Sequence, residues 1–482
     1  MVRFPNQKGI MPDNDQASPA AEFDRFLAAH PDIAYVDGVF IDLNGTLRGK
    51  RVPISDARKL FTAGMQMPGD IFMLDARGEM TNPLGLGSED GDPDSTAMPV
   101  PGTLTTVGKP PFRRAQVLMT QADPGGGPLQ VEPRNVLISA LEQFSKTGLT
   151  PVVAVELEFF LIDPARTPMG APQPPICPTT GVRERAISVY GINDLDRYEA
   201  FLTAVSEEAA RQNIPVTTAV AEYAPGQFEI NLHHVADPVA AADHAALLRP
   251  LIKHVAREQG MEATFMAKPY SGTAGSGMHV HVSLVKDGRN VFAGMPGLSD
   301  TLRHAVGGLA ATMHEAMAIF APNANAFRRF TPNLFVPVNR RWGINNRSTG
   351  LRIPAGEDAA TRIEHRVAGA DANPYLVLAA ILIGMKHGIE NRIDPGAPHD
   401  GDASDFLDPT VPFEIMWALE ELQNSKVLRA ALGVYVDVYA EAKARGYDAK
   451  IMRQIVRLRK METHDRQEME AILDTYKAAL GL

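Results

Sequence analysis

Cysteine is almost missing: Cys177 is the only one in 482 residues. No disulfide can form within the chain, and a reducing, cytoplasmic setting is expected. Long apolar runs are missing too. The most apolar stretch, Tyr375 to Met385 (YLVLAAILIGM), is too short to span a bilayer and reads as a buried helix. The first twenty residues lack the apolar core of a signal peptide. Positive charge is in deficit, with 47 Lys and Arg against 57 Asp and Glu and a net charge of −10. That balance disfavours nucleic acid and anionic membrane as partners and would tolerate a cationic substrate. There is no Walker A loop. Gly272, Gly275 and Gly277 precede a strand pattern rather than a helix, so neither a P-loop nor a dinucleotide fingerprint fits.

What is present is ordinary globular composition, 45% apolar and 22% charged, in a chain long enough for one large domain and a smaller one. Residues 1–20 are expected to form a mobile tail, 21–130 an N-terminal domain and 131–482 a larger domain. The segment ADPGGGPLQVEP (122–133) is the best linker between the last two. Ala21 to Ala29 reads as a helix. Ile33 to Val52 reads as two strands around the Asn44-Gly45 turn. Residues 64–103 read as an irregular loop, Gln116 to Thr120 as a strand and Arg134 to Gly148 as a helix. Beyond these come a strand from Pro151 to Ile162, a Pro-rich loop from Pro164 to Thr180 and a helix from Leu195 to Asn213. Two strands around Gly226 follow, then helices Pro238 to Gln259 and Ser299 to Phe320. Arg329 to Pro354 has an extended character. Asp371 to Asn391 reads as a helix opened by the cap Asn373-Pro374, and the pattern is helical from Pro412 onward. Strands and helices alternate irregularly, which predicts an α+β fold with an antiparallel or mixed sheet and helices packed on it.

The chemistry gathers on the strands. In SGTAGSGMHVHVSL (271–284), His279 and His281 fall on one face of a strand while Val280 and Val282 fall on the other. Glu156 and Glu158 likewise share a face in VELEFF. Two buried carboxylates without partners are costly, so they call for arginines or for a divalent metal. Glu222 and Glu229 bracket the Pro225-Gly226 bend. They are either exposed acids on a turn or two ligands returned to one locus. Arg362, Glu364 and Arg366 alternate onto one face, as an ion-pair ladder or as part of a site. Arg329, Arg347 and Arg352 complete a dense set of guanidinium forks, suited to phosphate and carboxylate oxygens. Several glutamates, a histidine and several arginines on extended segments are what a metal–nucleotide site requires.

In this order the segments VELEFF, AEYAPGQFEIN, KPYSGTAGSGMHVHVSL, NRSTGLRIP and RIEHRVAGADANPYL resemble the glutamine synthetase family, from about Ala34 to the C-terminal helices. The resemblance implies an N-terminal β-grasp domain and a catalytic domain whose antiparallel strands form half of a funnel-shaped site. It implies a homo-oligomer, usually a dodecamer of two hexameric rings with sites shared between neighbours. It also implies ATP as co-substrate and two to three Mg²⁺ or Mn²⁺ ions per site. By the family pattern one metal falls to Glu158, Glu222 and Glu229, and the second to Glu156, His279 and Glu364. Arg329, Arg366 and Gly275 correspond to glutamate contacts, and Arg347 to the residue facing phosphoryl transfer. Arg352, Arg362 and, more weakly, Ser283 correspond to nucleotide contacts.

The departures from the family bear on the second substrate. Where ammonia-using members carry a glutamate between the equivalents of Arg329 and Arg347, this chain has Phe335. Their D-G-S-S segment is replaced by AGMQMPGD, and a usual asparagine in the glycine-rich turn is Ala274. An ammonium ion needs carboxylates to bind and to lose its proton, whereas a phenyl ring offers apolar contact to a carbon chain. The stretches GLGSEDGDPDSTAMPVPGTL, LNGTLRGKR and FVPVNRRWGINNR are similar to the γ-glutamylamine and γ-glutamylpolyamine branch. The expected reaction is therefore ATP-dependent joining of glutamate to putrescine, a polyamine or a small alkylamine. Glu89, Asp92 and Asp94 are candidates for the amine side, or else simply an acidic loop. An ammonia-using synthetase and a non-catalytic relative are the competing readings. NRIDPG (391–396) lacks the tyrosine that some bacterial members adenylylate, so no control of that type is expected.

Overall fold

The computed structural model describes residues 18–445 apart from 86–88, 90, 124, 295–296 and 338. Most of the N-terminal tail and the end of the C-terminal helical stretch lie outside the described residues. The first helix starts at Pro19, because the Ser18 hydroxyl accepts from the Ala21 N–H at 3.2 Å and proline suits the first turn.

Two sheets carry the α+β fold. The first contains β1 (Tyr35–Ile41), β2 (Leu47–Pro53), β3 (Met65–Pro68), β4 (Asp94–Pro99), β5 (Thr105–Val107) and β6 (Arg114–Gln121). Its order is β2-β1-β6-β4-β3, with β5 also on β6. The β1–β2 pair is an antiparallel hairpin, as the Asn44-Gly45 turn predicts, and Gly45 takes a φ of 72° that favours glycine. Residues 64–103 are not simply irregular. β3 and β4 pair antiparallel within them, joined by short 3₁₀ turns. Both are short and end in proline (Pro68 and Pro99), which strand ends tolerate. Burial of Met65 and Ala97, rather than any local alternation, selects them.

The second sheet holds β7 (Thr150–Ile162), β8 (Val216–Ala221), β9 (Gln227–Leu232), β10 (Glu262–Thr264) and β11 (Met278–Lys286). Three short strands, Trp342–Ile344, Leu351–Ile353 and Ile363–His365, extend it beyond β11. All pairings are antiparallel except that between Trp342–Ile344 and Leu351–Ile353. The strict alternation of β7 decides its two faces. Val153, Val155, Leu157 and Phe159 are buried against the helical layer, while Glu156 and Glu158 look the other way. Val280, Val282, Phe228 and Ile230 bury the same back face on β11 and β9.

Behind the sheet run the helices Pro238–Glu258, Asp300–Phe320 and Pro374–Asn391. The last is buried nearly all round, as its apolar run predicts. Its cap Asn373 accepts from the N–H groups of Tyr375 (2.9 Å) and Leu376 (3.4 Å) and donates to the Asp42 carbonyl at 2.8 Å, tying this helix to the β1–β2 turn. The predicted helix Leu195 to Asn213 is two, Ile192–Arg197 and Glu199–Arg211. Tyr198 leaves helical geometry between them (φ −111°, ψ 18°), with its ring packed 5.1 Å from that of Phe228. No helix among the described residues is long and apolar enough to cross a membrane.

Candidate active site

The antiparallel register puts His279 opposite Glu156, Glu158 opposite Glu229 and His281 opposite Glu364. Four neighbouring strands thus deliver carboxylates and imidazoles to one face. His281 Nε2 lies 2.8 Å from Glu156 Oε1, and His279 Nδ1 lies 3.3 Å from Glu156 Oε2 and 4.0 Å from Glu229. His279 Nε2 is 3.8 Å from Glu158. Two sets have ligand atoms within 4.8 Å of one another: Glu156, Glu229 and His279, and Glu156, His281 and Glu364. His279 therefore groups with Glu229 here, and Glu364 with His281. Arg362 Nε donates to His281 Nδ1 at 3.1 Å, which leaves the ring proton on Nε2, facing Glu156.

The cluster is electrostatically divided. Burial works against the charge of Glu156, but the two imidazoles outweigh it and hold this carboxyl well below the usual range. Burial also opposes ionisation of Glu364. Arg366, the histidines and Arg352 prevail and bring it down to about 2. Burial, then Glu158, pushes Glu222 up to about 7, and burial with Glu156 and Glu158 pushes Glu229 up to about 10. Carboxyls crowded until some keep their protons favour a multivalent cation, and the hard oxygen and imidazole donors suit Mg²⁺ or Mn²⁺. The residues present fit a divalent metal.

The arginines border this cluster. Arg366 pairs with Glu364, and Arg352 Nη1 reaches Glu364 Oε2 at 2.6 Å. Arg329 is 1% exposed, donates to the Val367 carbonyl at 3.1 Å and leaves its Nε without a partner. The glycine-rich turn wraps it closely. A Cβ on Gly275 would sit 2.4 Å from the Ala267 carbonyl and 2.7 Å from Arg329 Cγ. Only glycine permits that approach. Arg347 donates to the Tyr190 hydroxyl at 2.9 Å. Ser283 continues the His279–His281 face of β11, opposite Val152. Phe335 is 62% exposed at a φ of 65°, with its ring 4.8 Å from that of Tyr223, the neighbour of Glu222.

The acidic candidates of the N-terminal region are not part of this cluster. Asp94 opens β4, opposite Pro68, and Glu89 is exposed, its N–H directed at Asn82 Oδ1 (3.4 Å). Asp92 meets Asp70, whose carboxyl is raised by burial and then by Asp92. Three polar residues at the site escape motif reading. Gln227 Nε2 bonds Glu158 Oε2 (3.2 Å) and the Gly275 carbonyl (3.0 Å), and Asn231 Nδ2 bonds Glu156 Oε1 (3.3 Å). Both alternate with Glu229 on β9, a period-2 signal available in the sequence. Tyr190 has no such signal.

Residues 130–462 match the family model described as glutamine synthetase, catalytic domain. The gamma-glutamylputrescine synthetase PuuA of Escherichia coli K12 is 43% identical over 414 residues, covering 86% of this chain and 88% of that protein. The gamma-glutamylethanolamide synthetase GlnA4 of Streptomyces coelicolor is 31% identical over 453 residues, covering 92% and 95%. The solved GmaS/ADP complex superimposes with a TM-score of 0.76 at 26% identity, covering 94% of this chain and 99% of that one. With the family model spanning more than half of its length, the chain belongs to the glutamine synthetase family.

Proposed function

We propose that this protein is an ATP-dependent ligase that joins the γ-carboxylate of L-glutamate to putrescine, a polyamine or a small alkylamine, releasing ADP and phosphate. One observation carries the reading: a carboxylate–imidazole cluster bordered by buried arginines, with the apolar ring of Phe335 near it. The similarity to synthetases whose names specify putrescine and ethanolamide products supports a carbon-bearing acceptor.

In this reading Arg329 and Arg366 grip the carboxylates of glutamate, beside the Gly275 backbone. Arg352, Arg362 and Ser283 line the nucleotide side. By the family pattern Glu158, Glu222 and Glu229 would hold one divalent ion and Glu156, His279 and Glu364 a second, although the side chains as placed group His279 with Glu229 and Glu364 with His281. Such ions, Mg²⁺ or Mn²⁺, neutralise phosphate charge when bound. A γ-carboxylate oxygen attacks the γ-phosphorus of ATP, the bond to ADP breaks, and γ-glutamyl phosphate forms. Arg347 faces the charge that spreads over the transferring group. The amine nitrogen then attacks the acyl carbon, phosphate leaves, and the nitrogen sheds a proton. Glu89, Asp92 and Asp94 are candidates to take that proton in a neighbouring subunit's site. That role requires the ring assembly of the family, two stacked hexamers with shared sites. A division near residue 130 accords with the two sheets, which lie on either side of it in sequence, and with the start of the family match. A cytoplasmic setting accords with the single cysteine.

The test is product analysis. The purified chain with Mg²⁺, ATP, glutamate and putrescine should yield γ-glutamylputrescine and ADP in equal amounts by mass spectrometry and coupled assay. ADP without a γ-glutamylamide, for any primary amine offered, contradicts the proposal.

A further inference from the structure

Beside the cluster lies a small, partly open cavity with about 20 Å³ of water-accessible space, room for one water-sized group. It lies between the turn joining β8 to β9 and the segment 184–198. Three carboxylates line it: Glu184, Asp194 and Glu222. Tyr198 lines it too, and its hydroxyl is buried and has no hydrogen-bond partner. Burial, then the charges of Glu184 and Asp194, keeps that phenol protonated. Arg197 is the nearby cation, 3.0 Å from Asp194 and 3.7 Å from Glu184, and it is the most exposed of the three. Arg197 against Glu184 and Asp194 leaves this side of the cavity negative, while Glu222, raised to about 7, is offset by Arg347 and Arg366. A buried negative pocket with an idle hydroxyl is costly to keep unless a cation completes it.

Size and chemistry narrow the cation. The space admits a compact –NH₃⁺. Such a head group has three donors, to be met by the Glu184 and Asp194 carboxylates and a lone pair of the Tyr198 oxygen. Position links the cavity to the reaction. Glu222 belongs both to its wall and to the cluster, where Glu158 and Arg347 act on its charge. The same segment is fastened to the site by Tyr190, whose N–H donates to the Ala221 carbonyl at 2.9 Å and whose hydroxyl accepts from Arg347. We infer that Glu184, Asp194 and Tyr198 form a subsite for the distal ammonium of a diamine, so that the acceptor is a diamine or polyamine rather than a simple alkylamine. The inference rests on the ligase reading and assigns substrate selectivity to a segment outside the metal and arginine set.

The experiment compares putrescine with n-butylamine, which has the same carbon chain and no second ammonium. Binding is read by calorimetry on the full chain with Mg²⁺, ADP and glutamate present, and turnover by ADP release. Putrescine should bind about 10-fold more tightly or better, the order expected for one charge-assisted contact set. Glu184→Gln and Asp194→Asn should each shrink the putrescine-to-butylamine ratio severalfold, and the double variant should bring it near one. Tyr198→Phe should lower it less, and circular dichroism and retained butylamine binding report folding. Equal binding of the two amines by the wild type overturns the inference, as does a ratio untouched by both carboxylate variants. A binding preference that vanishes in the variants, with no ADP released from either amine, would instead sink the ligase reading and leave the ammonium subsite standing.

Discussion

At the scale of single residues the account turns on which groups carry charge at the cluster and which exclude it. Glu158 lies within 3.8 Å of His279 and accepts from both Gln227 and the Gly277 N–H (2.8 Å). Glu158→Ala is expected to lower turnover by about 10³-fold or more, since it removes a proposed metal ligand together with its supporting bonds. ADP release by a variant with an unaltered far-UV spectrum checks this. Gly275→Ala adds a methyl where 2.4 Å separates its position from the Ala267 carbonyl. Arg329 must shift, and the KM for glutamate should rise at least about 10-fold. A wild-type KM would detach Arg329 from glutamate binding. Phe335→Glu should cost activity with alkylamines and gain some with ammonium. An unchanged order of amine preference would remove Phe335 from the acceptor site.

At the scale of elements, alternation on strands was the informative signal. β7 and β11 have enough residues to show period 2, so Glu156 with Glu158, and His279 with His281, were each legible as sharing a strand face, whereas Glu222 and Glu229 were legible only as bracketing a turn. Their register was not, because it depends on which strands pair. The grouping of His279 with Glu229, and of His281 with Glu364, emerged only there. β3 and β4 stayed hidden because strands this short are chosen by what covers them. The bond from Tyr190 to Arg347 crosses 157 positions between irregular segments, and no local pattern foretells it. Helix ends with a side-chain or proline signal, such as Pro238 and Asn373-Pro374, were read well, because caps are local chemistry, whereas the break at Tyr198 was not. Asn373→Ala should destabilise the protein by about 1–2 kcal/mol through the lost cap, and by somewhat more through the lost bond to Asp42. Urea unfolding measures it, and a change under about 0.3 kcal/mol would show that Pro374 alone sets the helix start.

At the scale of the molecule, polar bridges tie the helices to one another and to the first sheet. Lys443 Nζ donates to Asn44 Oδ1 at 2.6 Å, and Arg134 pairs with Asp243 at 3.0 Å, which also accepts from the Tyr375 hydroxyl at 2.6 Å. Beside them Glu132 accepts from the Gln121 N–H at 2.7 Å, yet burial pushes its carboxyl up to about 7 from 4.5. The folded state therefore keeps a proton that the unfolded chain releases. That stabilisation is complete below pH 4.5 and is lost as pH rises towards 7. Its full size is about 3 kcal/mol. Glu132→Gln should flatten this part of the stability–pH profile, and a melting series from pH 4.5 to pH 8 would show it. A variant curve parallel to the wild type would place the titration elsewhere.

The most direct test of the central claim is kcat/KM for ammonium, ethylamine, isopropylamine, putrescine and spermidine, measured as ADP release with saturating Mg²⁺, ATP and glutamate. The account predicts that a carbon-bearing amine exceeds ammonium by about 10-fold or more, the order that apolar contact with one or two methylenes supplies. Ammonium as the best acceptor would contradict it and make this an ammonia-using glutamine synthetase.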